Sequence, residues 1–258
     1  MSWLSSLPGW LLVCGSLLVF GFTAFVLRRV AERAASSNDP SNHHTVAGGL
    51  MPGLCAIFGI IASLTMLHQL DEWTRAQATV NAEATAATRL ASSVIGQQAS
   101  SVQGPLVTFL TAERKYEWDR GVGQPAPPAV VAAMRQIESN SRRIALAPQT
   151  KSQSGSEILS ALDALATARR DRLDSQSSHL PTLFVIALIL AGFAVIANGA
   201  VMTASRPKTG RLIILLTAVV AVDVALVIML WTPFGGSLQI SDQPVLQVIS
   251  ELRSGLFN

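Results

Sequence analysis

Long uncharged apolar runs bracket a long polar middle, two on each side. Residues 10–27 carry no charge and close on Arg28 and Arg29. Residues 46–70 are apolar apart from His68 and a few small polar groups, and end at Asp71 and Glu72. Residues 181–204 contain no charged side chain, and after Arg206, Lys208 and Arg211 another run fills 212–234 with Asp223 as its one charge. A helix rises about 1.5 Å per residue, so roughly 20 apolar residues cross a hydrocarbon layer of about 30 Å. The pattern predicts four membrane-spanning helices, at about 9–27, 46–70, 181–204 and 212–232, the last two forming a hairpin.

The middle, 71–180, shows helical rather than alternating periodicity. Trp73, Ala76, Val80, Ala87, Leu90 and Val94 recur at three- and four-residue spacing, one face of a helix. Between Pro52 and Gly96 only Gly53 and Gly59 punctuate the chain, so span 2 is expected to continue out of the membrane as one helix to about residue 95. A second helix is expected from Gly104-Pro105, since proline suits a first helical position, through Leu106, Phe109 and Leu110 to Trp118. Residues 121–128 read as a loop. Val130, Met134, Ile137 and Ile144 mark a third helix, the polar stretch 148–155 a connection, and Ile158, Leu162, Leu165 and Leu173 the inward face of a fourth. After the turn at Pro233-Phe234-Gly235-Gly236, Val245, Leu246, Ile249 and Leu252 share one side of a short amphipathic helix, expected to pack on the middle domain. The expected architecture is all-α: spans 1 and 2 in 1–70, a helical extramembrane domain in 71–180, spans 3 and 4 in 181–234, and an amphipathic segment in 235–258.

Composition agrees with this pattern. Half the residues are hydrophobic and 14% are charged, as four buried spans require. Basic residues orient the spans. Arg28, Arg29, Arg33, Arg206, Lys208 and Arg211 fall on one face, against Arg75, Arg169, Arg170 and Arg172 on the other. The bias favours outward termini and an extracytoplasmic helical domain. No basic residue precedes span 1 and several follow it, which reads as a retained anchor rather than a cleaved signal. Cys14 and Cys55 both lie inside spans, so the middle domain has no disulfide framework. The formal charge of +3 is spread along the chain, with no basic, aromatic-laced patch for nucleic acid. There is no metal-spaced His/Cys cluster, no glycine-rich phosphate loop after a strand and no nucleophile elbow. The expectation is a non-enzyme with no cofactor and no metal, in a bacterial inner membrane.

Several stretches resemble the bacterial bestrophin-like family. They are Val80-Asn81-Ala82-Glu83-Ala84, Tyr116-Glu117-Trp118, Arg169-Arg170-Asp171-Arg172-Leu173 ahead of Leu180-Pro181, and Pro233-Phe234-Gly235-Gly236 followed by Leu238, Ile240 and Pro244. Their order matches over nearly the whole chain. Trp231 stands where the family has an aspartate two residues before the Pro-Phe pair. The resemblance implies a two-span, helical-domain, two-span fold. Bestrophins themselves look like homopentameric anion channels with a pore lined by the second span. They keep their large domain in the cytoplasm, which opposes the charge count.

Candidate residues each carry a functional and a structural reading. Asp223 sits mid-span, where an acid costs about 2.5–3.5 kcal/mol and must face protein or water. It is either a pore or proton-relay carboxylate, or a protonated acid bonded to a neighbour such as Asn198. In span 2, Gly49 and Gly53 form a small-xxx-small pattern for close helix packing. Alternatively Met51, Leu54 and Phe58 make a hydrophobic constriction with Pro52 as a kink at the gate. His68 and His179, near Asp71, are interfacial hydrogen-bonding groups or a pH-sensing pair. His43-His44 reads as solvated loop. Glu83 interrupts the alanine face of the long helix and is expected to pair with Arg169 or Arg172, in a run 169–174 otherwise read as a solvated, self-compensated face. The leading expectation is a homo-oligomeric ion channel or pore in the lipid bilayer, with span 2 and its extension lining the path of inorganic ions. The alternative is a non-conducting membrane scaffold or sensor whose helical domain binds a partner.

Overall fold

The computed structural model describes residues 8–35, 40–96, 99–118, 125–177, 182–204, 210–231, 234 and 238–257; for 34–35, 40–46, 177 and 210 it describes the backbone alone. These residues form eight helices: α1 (Gly9–Ala35), α2 (Pro40–Ser93), α3 (Ser100–Tyr116), α4 (Pro128–Ala145), α5 (Ser152–Ser177), α6 (Thr182–Thr203), α7 (Gly210–Leu230) and α8 (Gln243–Arg253). The fold is all-α. Four stretches are long and apolar enough to cross a membrane: Gly9–Arg33, Ala47–Ser93, Thr182–Thr203 and Arg211–Leu230. With no interruption after Pro52, α2 runs unbroken for 54 residues, about 80 Å at the usual rise.

The chain divides into two compact units. The first comprises Met1–Asp71, His179–Thr232 and Gly236–Leu238. Its core joins Leu188, Val195, Ile196 and Ala200 of α6 to Ile213, Val220, Val224 and Val227 of α7, with Phe20 of α1 and Phe58 of α2 inserted. In lipid, apolar side chains gain little by leaving their surroundings, so helices associate where small residues let them approach. Gly192 of α6 does this. A Cβ there would sit 2.8 Å from Val220 Cγ1 and 3.6 Å from the Phe58 ring. Outward on α1, Leu18, Phe22 and Phe25 are exposed, the character of a lipid-facing surface.

The second unit comprises Glu72–Ser178, Pro233–Gly235 and Gln239–Asn258. Its core stacks Val80, Ala87, Leu90 and Val94 of α2 on Leu106, Phe109 and Leu110 of α3, Val130, Ile137 and Ile144 of α4, and Ile158 and Leu165 of α5, closed by Val245, Val248, Ile249 and Leu252 of α8. Two elements, α3 and α5, differ from their expected outlines. α3 starts at Ser100, so Pro105 lies inside it rather than at its first position. A proline has no N–H for the carbonyl four residues back, here that of Ser101. The Asn140 side-chain amide on α4 donates to that carbonyl at 2.6 Å, which lets the helix continue. α5 starts at Ser152, within the stretch expected to be a connection. Its close approach to α4 is set by Gly155, where a Cβ would come within 2.5 Å of the Ala145 carbonyl oxygen. On α5, Arg172 rather than Leu173 takes the innermost position.

Candidate functional site

The chemistry of the second unit concentrates in one buried ion cluster. Arg172 sits on the apolar face of α5, seven residues after Leu165 and fourteen after Ile158, and all three are fully buried. Its Nε donates to Glu83 of α2. Its Nη2 donates to Glu117 Oε2 at 3.0 Å and lies 2.8 Å from Glu113 Oε1, close enough for an ion pair but outside hydrogen-bond angles. Arg169, one turn earlier, grips Glu117 with two bonds, Nη2 to Oε1 at 2.7 Å and Nε to Oε2 at 3.3 Å. Aromatic rings close the site. Arg172 faces the Trp118 ring at 6.0 Å, and Phe234 meets Trp118 edge-on at 5.7 Å. Gln176 donates to the carbonyls of Glu117 and Trp118, fixing the end of α3.

Three carboxyls therefore surround two guanidiniums, and only Arg169 is partly open to water. Fully ionised, the cluster would carry one uncompensated negative charge in a low-dielectric core. Burial, followed by the charge of Glu83, pushes the Glu113 carboxyl well above its ordinary range. Neither Glu113 oxygen nor Glu83 Oε1 has a hydrogen-bond partner. Burial alone would draw Arg172 toward losing its proton, but Glu113, Glu83 and Glu117 outweigh it and hold the guanidinium charged.

In the first unit the chemistry is that of α2 and its neighbours. Phe58 is buried in the helical packing against Gly192, and Met51 and Leu54 pack partly into the same core. The expected constriction of Met51, Leu54 and Phe58 thus falls on the side of α2 turned toward the other spans. On the opposite side, Gly49, Gly53, Ala56, Ile60, Ser63 and Leu67 follow the three-four spacing of a helix stripe, and all are exposed. Pro52 is exposed beside this stripe. Asn198 of α6 does not bond Asp223. Its amide donates instead to the Ala47 carbonyl of α2 at 2.8 Å and to Met51 Sδ at 3.3 Å. Asp223 is half-buried on α7.

A family model described as a Bestrophin-like domain matches residues 13–245. The chain belongs to the bestrophin-like family. Among solved structures, a bacterial bestrophin homologue from Klebsiella pneumoniae, crystallised with one point substitution, is similar in fold, with a TM-score of 0.68 at 11% identity over 93% of this chain and 99% of that one. No curated protein matches the chain. With four spans in this family, the chain is a multi-pass membrane protein. The bestrophin-like motifs of the sequence meet in the buried cluster: Glu83, then Glu117 and Trp118, then Arg169 and Arg172, then Phe234.

The other sequence candidates are less gathered. Glu83 meets Arg172, while Arg169 goes to Glu117. The reading of 169–174 as a solvated face fails at Arg172, which is fully buried. His68 and Asp71 are both exposed on α2, whereas His179 lies outside the described residues, as do Arg206, Lys208, Pro233 and Gly235-Gly236 and the side chains of His43 and His44. Among the described residues no cluster of His, Cys, Asp or Glu is placed to hold a metal. Sequence reasoning missed Glu113, and named Glu117 only as part of a motif, without a role. Their signal was position, because Glu113 and Glu117 continue the stripe of Leu106, Phe109 and Leu110, and a charge on an apolar stripe implies a buried partner.

Proposed function

We propose that this bestrophin-like chain assembles as a homo-oligomeric ion channel in a bacterial inner membrane. The exposed stripe Gly49, Gly53, Ala56, Ile60, Ser63 and Leu67 of α2 lines the path. The observation that carries this reading is the orientation of α2. Its packed face is occupied by the other three spans, and its other face is exposed, with Gly49, Gly53, Ala56 and Ser63 on a stripe among the larger Leu50, Ile57, Ile60, Leu64 and Leu67. Membership of the bestrophin-like family supports a membrane channel. Ile60 is the first large residue along the stripe after Gly49, Gly53 and Ala56, and it supplies an apolar constriction of the kind that gates by dewetting. The helical unit lies outside the cytoplasm on the charge count, and its own core is tied by the buried ion cluster. Asp223, on α7, acts away from this stripe.

The test is ion flux from liposomes containing purified protein, in a Cys14→Ser, Cys55→Ser background with single cysteines along the stripe. Thiol reagents reduce flux through Gly53→Cys and Ile60→Cys and leave Leu18→Cys, on the outer face of α1, unaffected. Equal block at all three positions refutes the assignment of the path. A monomeric protein in mild detergent with no flux leaves the scaffold reading in its place.

A further inference from the structure

Resting on the reading of α2 as the path-lining helix, the geometry points to Asn198 as a positioning residue that holds the segment of α2 ahead of Pro52. Pro52 lies inside α2 and has no N–H, so the Gly48 carbonyl loses its in-helix donor, and the proline ring crowds that carbonyl. A helix broken in this way bends at the proline unless neighbours re-satisfy and hold the freed turn. Three residues at the end of α6 hold this turn. The Asn198 amide donates to the carbonyl of Ala47, next to the orphaned one, and to the sulfur of Met51, the residue just before the proline. Gly199, the next residue, leaves room for the Met51 methyl at 4.0 Å from where its Cβ would stand. Met202, one turn on, reaches Gly48 with its terminal methyl, also at 4.0 Å. Ala47 is buried by this contact region.

On the far side of the proline the helix is held differently. Phe58 inserts beside Gly192 of the same α6, by shape alone. The two anchors lie eleven residues apart on α2 and six apart on α6, one polar and one apolar, with Pro52 between them. The apolar anchor has no direction to enforce. The amide does, because a carbonyl accepts along its lone-pair directions. Asn198 therefore sets the angle at which the pre-proline segment, and with it Gly49 at the start of the exposed stripe, leaves the packed core. In helix alignment Asn198 also explains why a polar amide is carried in an otherwise apolar span: membrane-buried amides act as interhelical glue.

The test is amide hydrogen exchange of the full chain in detergent, read over peptides covering residues 47–58, with liposome flux measured on the same preparations. Asn198→Leu keeps the bulk and removes the donor. It is expected to raise exchange over 47–52 by about threefold to tenfold, the range for one interhelical hydrogen bond in a membrane. Asn198→Ala serves if the branched side chain is not accommodated. Repeating either change in a Pro52→Ala background is expected to shrink the effect to less than about twofold, because the repaired helix no longer depends on the clamp. Unchanged exchange in the single variant, or an equal rise in both backgrounds, overturns the proposal. If exchange responds as expected while the wild-type protein passes no ions, the clamp is supported and the conducting reading fails; if ions pass and exchange does not respond, the reverse holds.

Discussion

Replacing Arg172 by methionine removes the one cation that touches three carboxyls at once. Methionine keeps much of the side-chain length, so the change is chiefly electrostatic. Glu117 retains Arg169, so the loss falls on Glu83 and Glu113, left fully buried with no cation beside them. Breaking a buried pair by removing one partner destabilises by about 3–5 kcal/mol. A unit of this size holds only about 5–15 kcal/mol in total, so the midpoint of thermal unfolding should fall by about 10–20 °C. The assay is far-ultraviolet circular dichroism of detergent-purified protein, heated reversibly. Adding Glu83→Gln to Arg172→Met is the decisive step. Alone, Glu83→Gln destabilises, because it loosens the grip on Arg172. In the Arg172→Met background it should stabilise, because it removes the stranded charge. If the two effects simply add, or if Arg172→Met shifts the midpoint by less than about 2 °C, the electrostatic account is wrong.

Other outcomes follow from the same geometry. Glu113 has a raised folded-state value, so its contribution is complete below the unfolded carboxyl value of about 4.3 and is lost as pH rises through the folded value; thermal midpoints measured against pH should decline on the alkaline side in wild type and flatten in Glu113→Gln. Gly155→Ala drives a methyl into the Ala145 carbonyl and should cost about 1–3 kcal/mol in the same melt. Asp223→Asn should change flux or its pH response without altering oligomer size on a gel-filtration column, and identical flux from well-expressed variant removes Asp223 from the mechanism. Ser152→Cys, on the exposed start of α5, should react with a membrane-impermeant maleimide on intact cells if the helical unit is extracytoplasmic.

The four spans were legible because run length alone decides them; no packing detail can hide four such long apolar runs. The length of α2 was legible because nothing after Gly59 breaks it before Gly96. The cluster was half legible. Glu83 stood out against alanines, but Arg172 was masked by Arg169, Arg170, Asp171 and Asp174, which look like a solvated run until the heptad Ile158, Leu165, Arg172 is traced. The start of α3 was misplaced because a proline that opens a helix and a proline tolerated inside one look alike in sequence. Only the amide of Asn140, bonded to the Ser101 carbonyl 39 residues before it, tells them apart. The side of α2 that faces its neighbours was not legible for a similar reason, since large apolar residues suit a constriction and a core equally well.

The second unit closes its interior with Ile240, Val245, Ile249, Leu252 and Phe257, whose carbonyl accepts from the buried Gln103 amide at 3.1 Å. These residues emerge from the ribosome only after α6 and α7 have been made. The nascent bundle of α3, α4 and α5 must therefore wait, unfinished, while two greasy rods enter the lipid. It is completed only when that hairpin has delivered α8 to the same compartment. Successful insertion and successful folding thus become a single event, and a chain threaded the wrong way would expose an open core to the cell's proteases.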